Sequence, residues 1–475
     1  MSTRVPSLAL VLSLAACQPA GSQPPATRTP ATTPTRPVAD DAKIAGAESC
    51  RDWSTLDRAT LPALPASPYA GLLEQVWTIL LERHYDPTLG CTDWPAIRTR
   101  YGEKVAAAKS EAEAYAAINA MLGELKQSHL GLIPPQRAIA AEHGEAKPVG
   151  RGRVPIDPVM IGDEVVVRDP SWRGGKSKLP GGATLVSIDE HDLGKLVADS
   201  DITWPRKVER DYHVLQTARA WLSCEPGGKR KLTWRATPTA KTASRSVACH
   251  LPEQRTLSFG NLHDVPVDVS WAMVPGTEVG VLRFNVWLLP LAVEIEKAIT
   301  DLRGRGMRAL VIDLRGNPGG VGMMVVPVAR LLLDKDAELG VMHMRQAEQR
   351  FAVKRGADPF LGKVALLVDE GTGSTSEIFA QALKDLGRVT VVGTSPSAGA
   401  ALPSLIEKLD GGAVLQYVVA DYQSPGGTAV EGNGVKPDVL VELRREDLRA
   451  GRDPVLDAAV ALLGSENPPS AAKQP

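Results

Sequence analysis

The sequence lacks three features whose absence narrows the possible functions. No apolar run in the 475-residue chain reaches about 18 residues, so no transmembrane helix is predicted. Charge of one sign is not in excess: 54 Lys and Arg face 55 Asp and Glu, which argues against a nucleic-acid-binding protein. Only five cysteines are present, none in C-x-x-C spacing, so no metal site is expected. The rest of the composition, 43% hydrophobic and 23% charged, is that of a globular protein with roughly three domains.

Residues 1–16 have the features of an export signal peptide. Arg4 supplies a positive charge, and the short apolar stretch that follows ends in Leu14-Ala15-Ala16-Cys17. This ending resembles the lipobox of bacterial lipoproteins, and the resemblance implies lipidation (palmitate) at Cys17 and a membrane-anchored protein of the bacterial cell envelope, on the periplasmic or outer-membrane face. An ordinary secretory signal with an unrelated Cys is the alternative. Residues 17–48, rich in Pro and Thr, are predicted to form a disordered tether.

The remaining chain changes its pattern twice. Apolar residues at helical spacing and a Ser110-x-x-Glu113 capping box predict helices before Pro134. Strand-like runs around a Pro-Gly turn follow, in an order that resembles a PDZ domain, with an unrelated small β-rich insert as the alternative. From about residue 277, strands and helices alternate, which predicts a largely parallel sheet covered by helices. The predicted units are an N-terminal helical domain, a PDZ-like β-rich insert, an α/β core and a disordered tail: 49–147, 148–255, 256–463 and 464–475.

Four cysteines remain after Cys17, and export makes disulfides plausible. Four cysteines allow three pairings. We favour the sequential pairs Cys50–Cys91 and Cys224–Cys249, because each pair closes within one predicted domain.

Two loops of the α/β part suggest a reactive site. Arg315-Gly316-Asn317-Pro318-Gly319-Gly320 and Gly371-Thr372-Gly373-Ser374 each follow a buried-type strand and open a helix. Ligands of parallel sheets bind at the carboxyl ends of strands, and backbone N–H groups at a helix start can hold an oxyanion. Neither loop is a P-loop, a dinucleotide fingerprint or a G-x-S-x-G elbow, so nucleotide binding and the α/β-hydrolase fold are not indicated.

Taken together, the motifs resemble the carboxy-terminal processing peptidases (tail-specific proteases) and tricorn protease. The resemblance runs over about residues 69–443 and includes the helical part ending in Ser128-His129, the PDZ-like insert, both loops above and the segment 430–438. It implies a serine peptidase with a crotonase-like (Clp-protease-like) α/β catalytic core. Ser374 matches the nucleophile of the family, with Ser376 as the alternative.

One part of the family pattern is missing. The processing branch uses a Ser–Lys dyad, but the matching segment, 393–400, contains no Lys, and the nearest lysines are Lys384 and Lys408. The tricorn branch instead uses a Ser-preceded His and a Glu, for which Ser128-His129 and Glu431 are the matching residues. The resemblance thus implies His129 as general base and Glu431 as the carboxylate that orients its ring.

Three further groups complete the predicted site. Ser128 either joins the hydrogen-bond network or only caps the loop. The N–H groups of Thr375 and of Gly319 or Gly320 are the expected oxyanion hole. Asp313 and Arg315 are expected to form a structural pair.

The sequence therefore predicts an exported, lipid-anchored serine peptidase that cleaves peptides or unfolded polypeptides, without a metal or cofactor, and whose insert binds free C-termini. The alternatives are an inactive peptidase fold that serves as a peptide- or protein-binding module, as occurs within the family, and a non-peptidase acyl hydrolase on the same core.

Overall fold

The computed structural model describes residues 50–135, 152–169, 175–204, 206–251, 255–259 and 262–464. The predicted signal peptide, the lipidation site Cys17, the tether 17–48 and nearly all of the predicted tail lie outside these ranges. Among the helices of these ranges, none combines the length and the apolar character that a membrane span requires.

Three helices form the N-terminal part, as the sequence predicts. They begin at capping residues where the chain offers them: the Ser110 hydroxyl accepts a hydrogen bond from Glu113 N at 3.2 Å. Trp77 and Trp94 stack at the centre of their shared core with ring centroids 6.3 Å apart. A short strand follows the third helix. The elements are α1 Ala70–Arg83, α2 Trp94–Ala107, α3 Glu111–Gly123 and β1 Gly131–Ile133.

The middle of the chain forms a β-rich insert with its own buried apolar core. Its main sheet has the strand order β3-β4-β5-β8-β9, and two helices cover it. The second helix was not predicted, because its charged sequence has few apolar residues; Val214, Leu215 and Ala218 bury one face. The elements are β2 Gly152–Arg153, β3 Asp157–Ile161, β4 Glu164–Asp169, β5 Thr184–Ile188, β6 His191–Asp192, α4 Leu193–Thr203, α5 Lys207–Trp221, β7 Ser223–Cys224, β8 Lys229–Arg235 and β9 Ala243–Ala248.

The third part is built on a six-stranded sheet of order β12-β13-β14-β17-β18-β22. All neighbours from β13 onward are parallel, which confirms the predicted sheet, and β12 adds an antiparallel edge. The first elements are β10 Arg255–Phe259, β11 Leu262–Val267, β12 Val269–Met273, β13 Val279–Phe284, α6 Leu291–Gly304, β14 Ala309–Asp313 and α7 Val325–Arg330.

Two smaller sheets, which the sequence did not predict, close over this core. One has the order β16-β15-β21, and the other, β1-β20-β19, includes the N-terminal strand. The remaining elements are β15 Ala337–Met344, β16 Glu348–Val353, β17 Lys363–Val368, α8 Thr375–Asp385, β18 Thr390–Gly393, β19 Ser404–Lys408, β20 Val414–Val418, β21 Ala420–Gln423, β22 Val439–Leu440, α9 Arg445–Arg449 and α10 Pro454–Gly464.

Disulfides stabilise two parts of the chain internally, and an ion pair and a strand pairing hold the parts together. The structure contains the disulfides Cys50–Cys91 and Cys224–Cys249. Arg168 of the insert donates to Asp369 of the core at 2.9 Å. Strand β1 pairs with β20, so the chain directly after α3 lies against the α/β core. This pairing brings the Ser128-His129 segment to the core.

Candidate active site

Both predicted loops lie at the carboxyl edge of the parallel sheet. The first follows β14 and is braced by Arg315, whose guanidinium donates to the Asp313 carboxylate at 2.9 and 2.8 Å. That ion pair lowers the pKa of Asp313 to about 2 against the opposing effect of its burial. The expected structural pair is therefore present. The second loop follows β17, the next strand in the sheet, and leads into α8.

Ser374 precedes α8 in a strained backbone conformation. Its φ is +54° and its ψ is −122°, a region that non-glycine residues rarely adopt. His129, just before β1, also has a positive φ of +58°. The Nε2 of His129 lies 3.1 Å from Ser374 Oγ, within hydrogen-bonding distance. The candidate nucleophile and the candidate base therefore meet.

The carboxylate reaches the imidazole through an intervening hydroxyl. Ser128 Oγ lies 2.8 Å from His129 Nδ1 and 2.9 Å from Glu431 Oε2. Glu431 also accepts from the backbone N–H of Ser128 and of Ala401, each at 2.8 Å. Of the two alternatives for Ser128, the geometry therefore favours membership of the network over a loop cap, with its hydroxyl between Glu431 and the His129 ring.

The hydrogen bonds have a consistent direction when Glu431 is ionised. A carboxylate only accepts, so Ser128 Oγ–H donates to Glu431, and the same oxygen accepts from His129 Nδ1–H. His129 Nε2 is then unprotonated and accepts from Ser374 Oγ–H. Close packing of protein around the His129 ring lowers its pKa from 6.5 to about 4, because the charged form loses hydration. Burial raises the pKa of Glu431, and its hydrogen bonds from Ser128 and Ala401 oppose that rise.

The geometry separates the two glycines predicted for the oxyanion hole. Gly319 N–H donates to Asn317 Oδ1 at 3.0 Å and is occupied. The N–H groups of Gly320 and Thr375, by contrast, have no acceptor within the ranges that the structure describes. Thr375 Oγ1 donates to Gly320 O at 2.9 Å, which ties these two residues together. Gly320 and Thr375 are therefore the better pair of candidate donors.

The alternative residues lie away from the reactive position. Ser376 is fully buried, where it accepts from Trp287 Nε1 at 2.8 Å and donates to Asn317 O at 3.1 Å. Lys384 binds the carbonyl of Lys436 at 2.6 Å and the carboxylate of Asp438 at 2.8 Å. Neither residue belongs to the Ser374–His129 pair.

The sequence pattern does not predict a role for Glu377, whose carboxylate contacts the backbone of Ser374. Its carboxylate accepts from the backbone N–H of Ser374 at 3.0 Å and of Ala400 at 2.9 Å. Its position three residues after a Ser at a helix start is the signature of a capping box, and that signal could have drawn attention to it. Among the described residues, no group of three or more His, Cys, Asp or Glu could hold a metal ion.

Comparison with known sequences finds two family models in this chain. Residues 278–441 match peptidase family S41, and residues 65–123 match the tricorn protease C1 domain. The chain is 25% identical over 373 residues to a carboxyl-terminal-processing protease of a Picosynechococcus species, covering 78% of this chain and 82% of that protein. It is 30% identical over 168 residues to a probable CtpA-like serine protease of Staphylococcus epidermidis, covering 34% and 33%.

Solved structures share the fold. The photosystem II D1 C-terminal processing protease aligns with a TM-score of 0.56 at 23% identity, covering 84% of this chain and 98% of that one. Mature CPAF aligns with a TM-score of 0.59 at 14% identity, covering 80% and 93%. These findings confirm the resemblance on which the site was predicted. Residues 278–441 of this chain are thus similar to peptidase family S41, and the chain as a whole is similar to the carboxyl-terminal processing serine peptidases.

Proposed function

We propose that the chain is an exported, lipid-anchored serine peptidase that cleaves peptides or unfolded polypeptides through an acyl-enzyme. The observation that carries the proposal is the unbroken series of hydrogen bonds Ser374–His129–Ser128–Glu431. A serine hydroxyl is a weak nucleophile until a positioned base takes its proton, and this series supplies a neutral imidazole in the required tautomer. Lipid anchoring at Cys17 and a place in the cell envelope rest on the signal-like N-terminal sequence.

The reaction follows from the direction of these hydrogen bonds. Ser374 Oγ attacks the substrate carbonyl carbon while His129 Nε2 takes its proton. The N–H groups of Gly320 and Thr375 stabilise the negative oxygen of the tetrahedral intermediate. His129 then gives the proton to the leaving amine, and water hydrolyses the acyl-enzyme with His129 again as base. Ser128 and Glu431 stabilise the imidazolium and set its orientation without contacting the substrate.

The absence of a lysine at the dyad position supports the histidine route. Lys384 already binds Lys436 and Asp438, and the 393–400 segment contains none. We further propose that the catalytic part is a crotonase-like core.

The β-rich insert is proposed to be a PDZ-like domain that binds the free C-terminus of the substrate. Strand β3 is one of the two edge strands of the insert's sheet, and α5 packs against it. An edge strand beside a helix is the arrangement to which a peptide can add as a further strand. A Ser374→Ala chain should bind a peptide with a free carboxylate more tightly than its amidated form. Equal affinities in fluorescence anisotropy would contradict the PDZ-like role.

Labelling with a fluorophosphonate tests the peptidase proposal. The chain from residue 46 onward, which retains all described residues, would be treated beside its Ser374→Ala and His129→Ala variants. We expect labelling of the first and loss of labelling in both variants, with unchanged thermal unfolding. A folded chain that is not labelled contradicts the proposal.

Cleavage then separates a peptidase from an acyl hydrolase. We expect hydrolysis of an unfolded protein, and hydrolysis of short esters alone would favour the hydrolase.

A further inference from the structure

Glu377 is a fully buried carboxyl group that takes no part in the hydrogen-bond series Ser374–His129–Ser128–Glu431. Its Oε1 accepts from Ser397 Oγ at 2.5 Å and from Gly399 N at 2.8 Å. Its Oε2 accepts from Ala400 N at 2.9 Å and from Ser374 N at 3.0 Å. A carboxylate has about four acceptor sites, so these four donors occupy the whole ionised group.

The hydrogen-bond partners of Glu377 connect Ser374 with Glu431, the two ends of that hydrogen-bond series. The segment 397–401, which it holds on one side, contacts the Glu431 turn on the other. Ala401 N–H donates to Glu431 Oε2 at 2.8 Å, and Gly399 O accepts from Gly432 N at 2.7 Å. One carboxylate therefore fixes the backbone of Ser374 and the segment that places Glu431.

Ser374 needs such support because its backbone is strained. A non-glycine residue in a sparsely populated region costs about 1–3 kcal/mol and persists only where its surroundings hold it. Its N–H has two acceptors, Glu377 Oε2 at 3.0 Å and Ala400 O at 2.8 Å. Both acceptors depend on the same carboxylate, since Glu377 also holds Ala400 N. Loss of the carboxylate would therefore release the strained residue and its neighbour together.

We propose that Glu377 is a positioning residue of the reaction. Its ionised carboxylate holds Ser374 and the segment 397–401, which places Glu431, in their relative positions. This inference rests on the proposed function. Because Glu377 has no accessible surface, it does not contact the substrate. Its removal should therefore slow acylation and leave substrate binding unchanged.

Ionisation of Glu377 gives the inference a measurable signature. Burial raises the pKa of Glu377 to about 7, opposed by Ser397, Gly399 and Ala400, while Glu431 adds to the rise. Tyr212 of α5 also interacts electrostatically with Glu377, and burial holds the pKa of Tyr212 above its usual range. When Glu377 is protonated, one of its acceptor sites is occupied by the proton, so the group cannot accept all four hydrogen bonds. The complete set of four therefore forms as the pH rises through about 7. The rate of acylation should rise over the same range.

The test measures saturation kinetics of a fluorophosphonate, which separates the chemical rate constant kinact from the binding constant KI. The wild type and the isosteric Glu377→Gln variant would be compared between about pH 4.5 and 9. At pH 8 we expect kinact of the variant to fall about 10- to 100-fold with KI within about twofold. The rise near pH 7 should be absent from the variant.

Gln381→Ala is the matched control, since Gln381 is a buried polar residue one turn further along α8 that bonds only Asp385 among the described residues. It should keep the kinact and the pH profile of the wild type. A Glu377→Gln variant with those same values would overturn the inference.

Ser397→Ala provides a second test in case Glu377→Gln does not fold. This substitution removes the hydrogen bond that Ser397 donates to ionised Glu377 but leaves the carboxyl group in place. The pKa of Glu377 should therefore rise, and the pH at which kinact increases should rise with it. A pH dependence of kinact identical to that of the wild type would contradict the inference. A wild type without labelling refutes the proposed function and this inference with it, whereas a labelled wild type with an unaffected Glu377→Gln variant refutes the inference alone.

Discussion

His129 Nε2 lies 3.1 Å from Ser374 Oγ, although 245 positions separate the two residues in the sequence. His129 follows α3 of the N-terminal part, and Ser374 follows β17 of the parallel sheet. The pairing of β1 with β20 fixes the first against the second. The N-terminal part therefore contributes to the reactive site itself, in addition to adding a domain to the chain.

Replacement of Ser128 by Ala should uncouple Glu431 from the imidazole. The hydroxyl is the only link between the two among the described side chains, and its loss leaves His129 Nδ1–H without an acceptor. Loss of a hydrogen bond to a charged group corresponds to a fall in kinact of about 10- to 100-fold. Fluorophosphonate labelling kinetics would measure it, with thermal unfolding as the check on folding.

Ser128→Thr is the matched control for this substitution. It retains the hydroxyl and should keep kinact within about threefold of the wild type, because the hydrogen-bonding groups are unchanged. A Ser128→Ala variant as fast as Ser128→Thr would mean that Glu431 does not act through this hydroxyl.

The ring of His129 should titrate near pH 4. Its folded-state pKa lies below the ordinary value of 6.5, so the ring stays neutral and able to accept a proton at neutral pH. The unfolded chain binds more protons between these values, so this residue's contribution to stability is lost as the pH falls from about 6.5 to 4. NMR of histidine-labelled Ser374→Ala protein would follow the ring, with His129→Gln to assign its signal. A midpoint at or above 6.5 would contradict the packing described for this site.

Gly320→Ala should impair the oxyanion hole. Gly320 has a φ of +146°, and an added Cβ would collide with the carbonyl oxygen of Trp287. The resulting shift of its N–H should lower kinact about 100- to 1,000-fold, as loss of one oxyanion donor does.

Gly322→Ala is a control in the same segment, because its added Cβ would meet nothing closer than Phe351 at 4.0 Å. Near-normal kinact in Gly320→Ala would exclude this N–H from the oxyanion hole.

Replacing Cys224 and Cys249 together by Ser should destabilise the insert. Their disulfide closes 25 residues of sequence, and loss of such a cross-link costs about 3 kcal/mol of unfolding free energy. Urea unfolding followed by the fluorescence of the insert's tryptophans would measure it. An unchanged unfolding midpoint, or peptide mapping that finds Cys224 and Cys249 as free thiols in the unreduced wild type, would contradict this disulfide.

Much of the fold is visible in local patterns. The stretch over Ala309–Asp313 is apolar almost throughout, as expected for a strand buried on both faces, and it lies inside the parallel sheet. Helix α5 was missed because three buried apolar residues among many charges give a weak period. The joining of β1 to β20, and of β15 to β21, was not predicted because these strands lie far apart along the chain.

The sequence alone determined which residues are candidates for the chemistry. A Ser at a helix start, a Ser-His pair, two glycines after a buried strand and a missing Lys are local features that resemblance can align. Tertiary structure decided how they connect: that Ser128 stands between His129 and Glu431, and that the N–H of Gly320, unlike that of Gly319, has no acceptor among the described residues. Hydrogen bonds depend on distances of a few tenths of an ångström between segments hundreds of residues apart, and only the packing of the complete chain sets those distances.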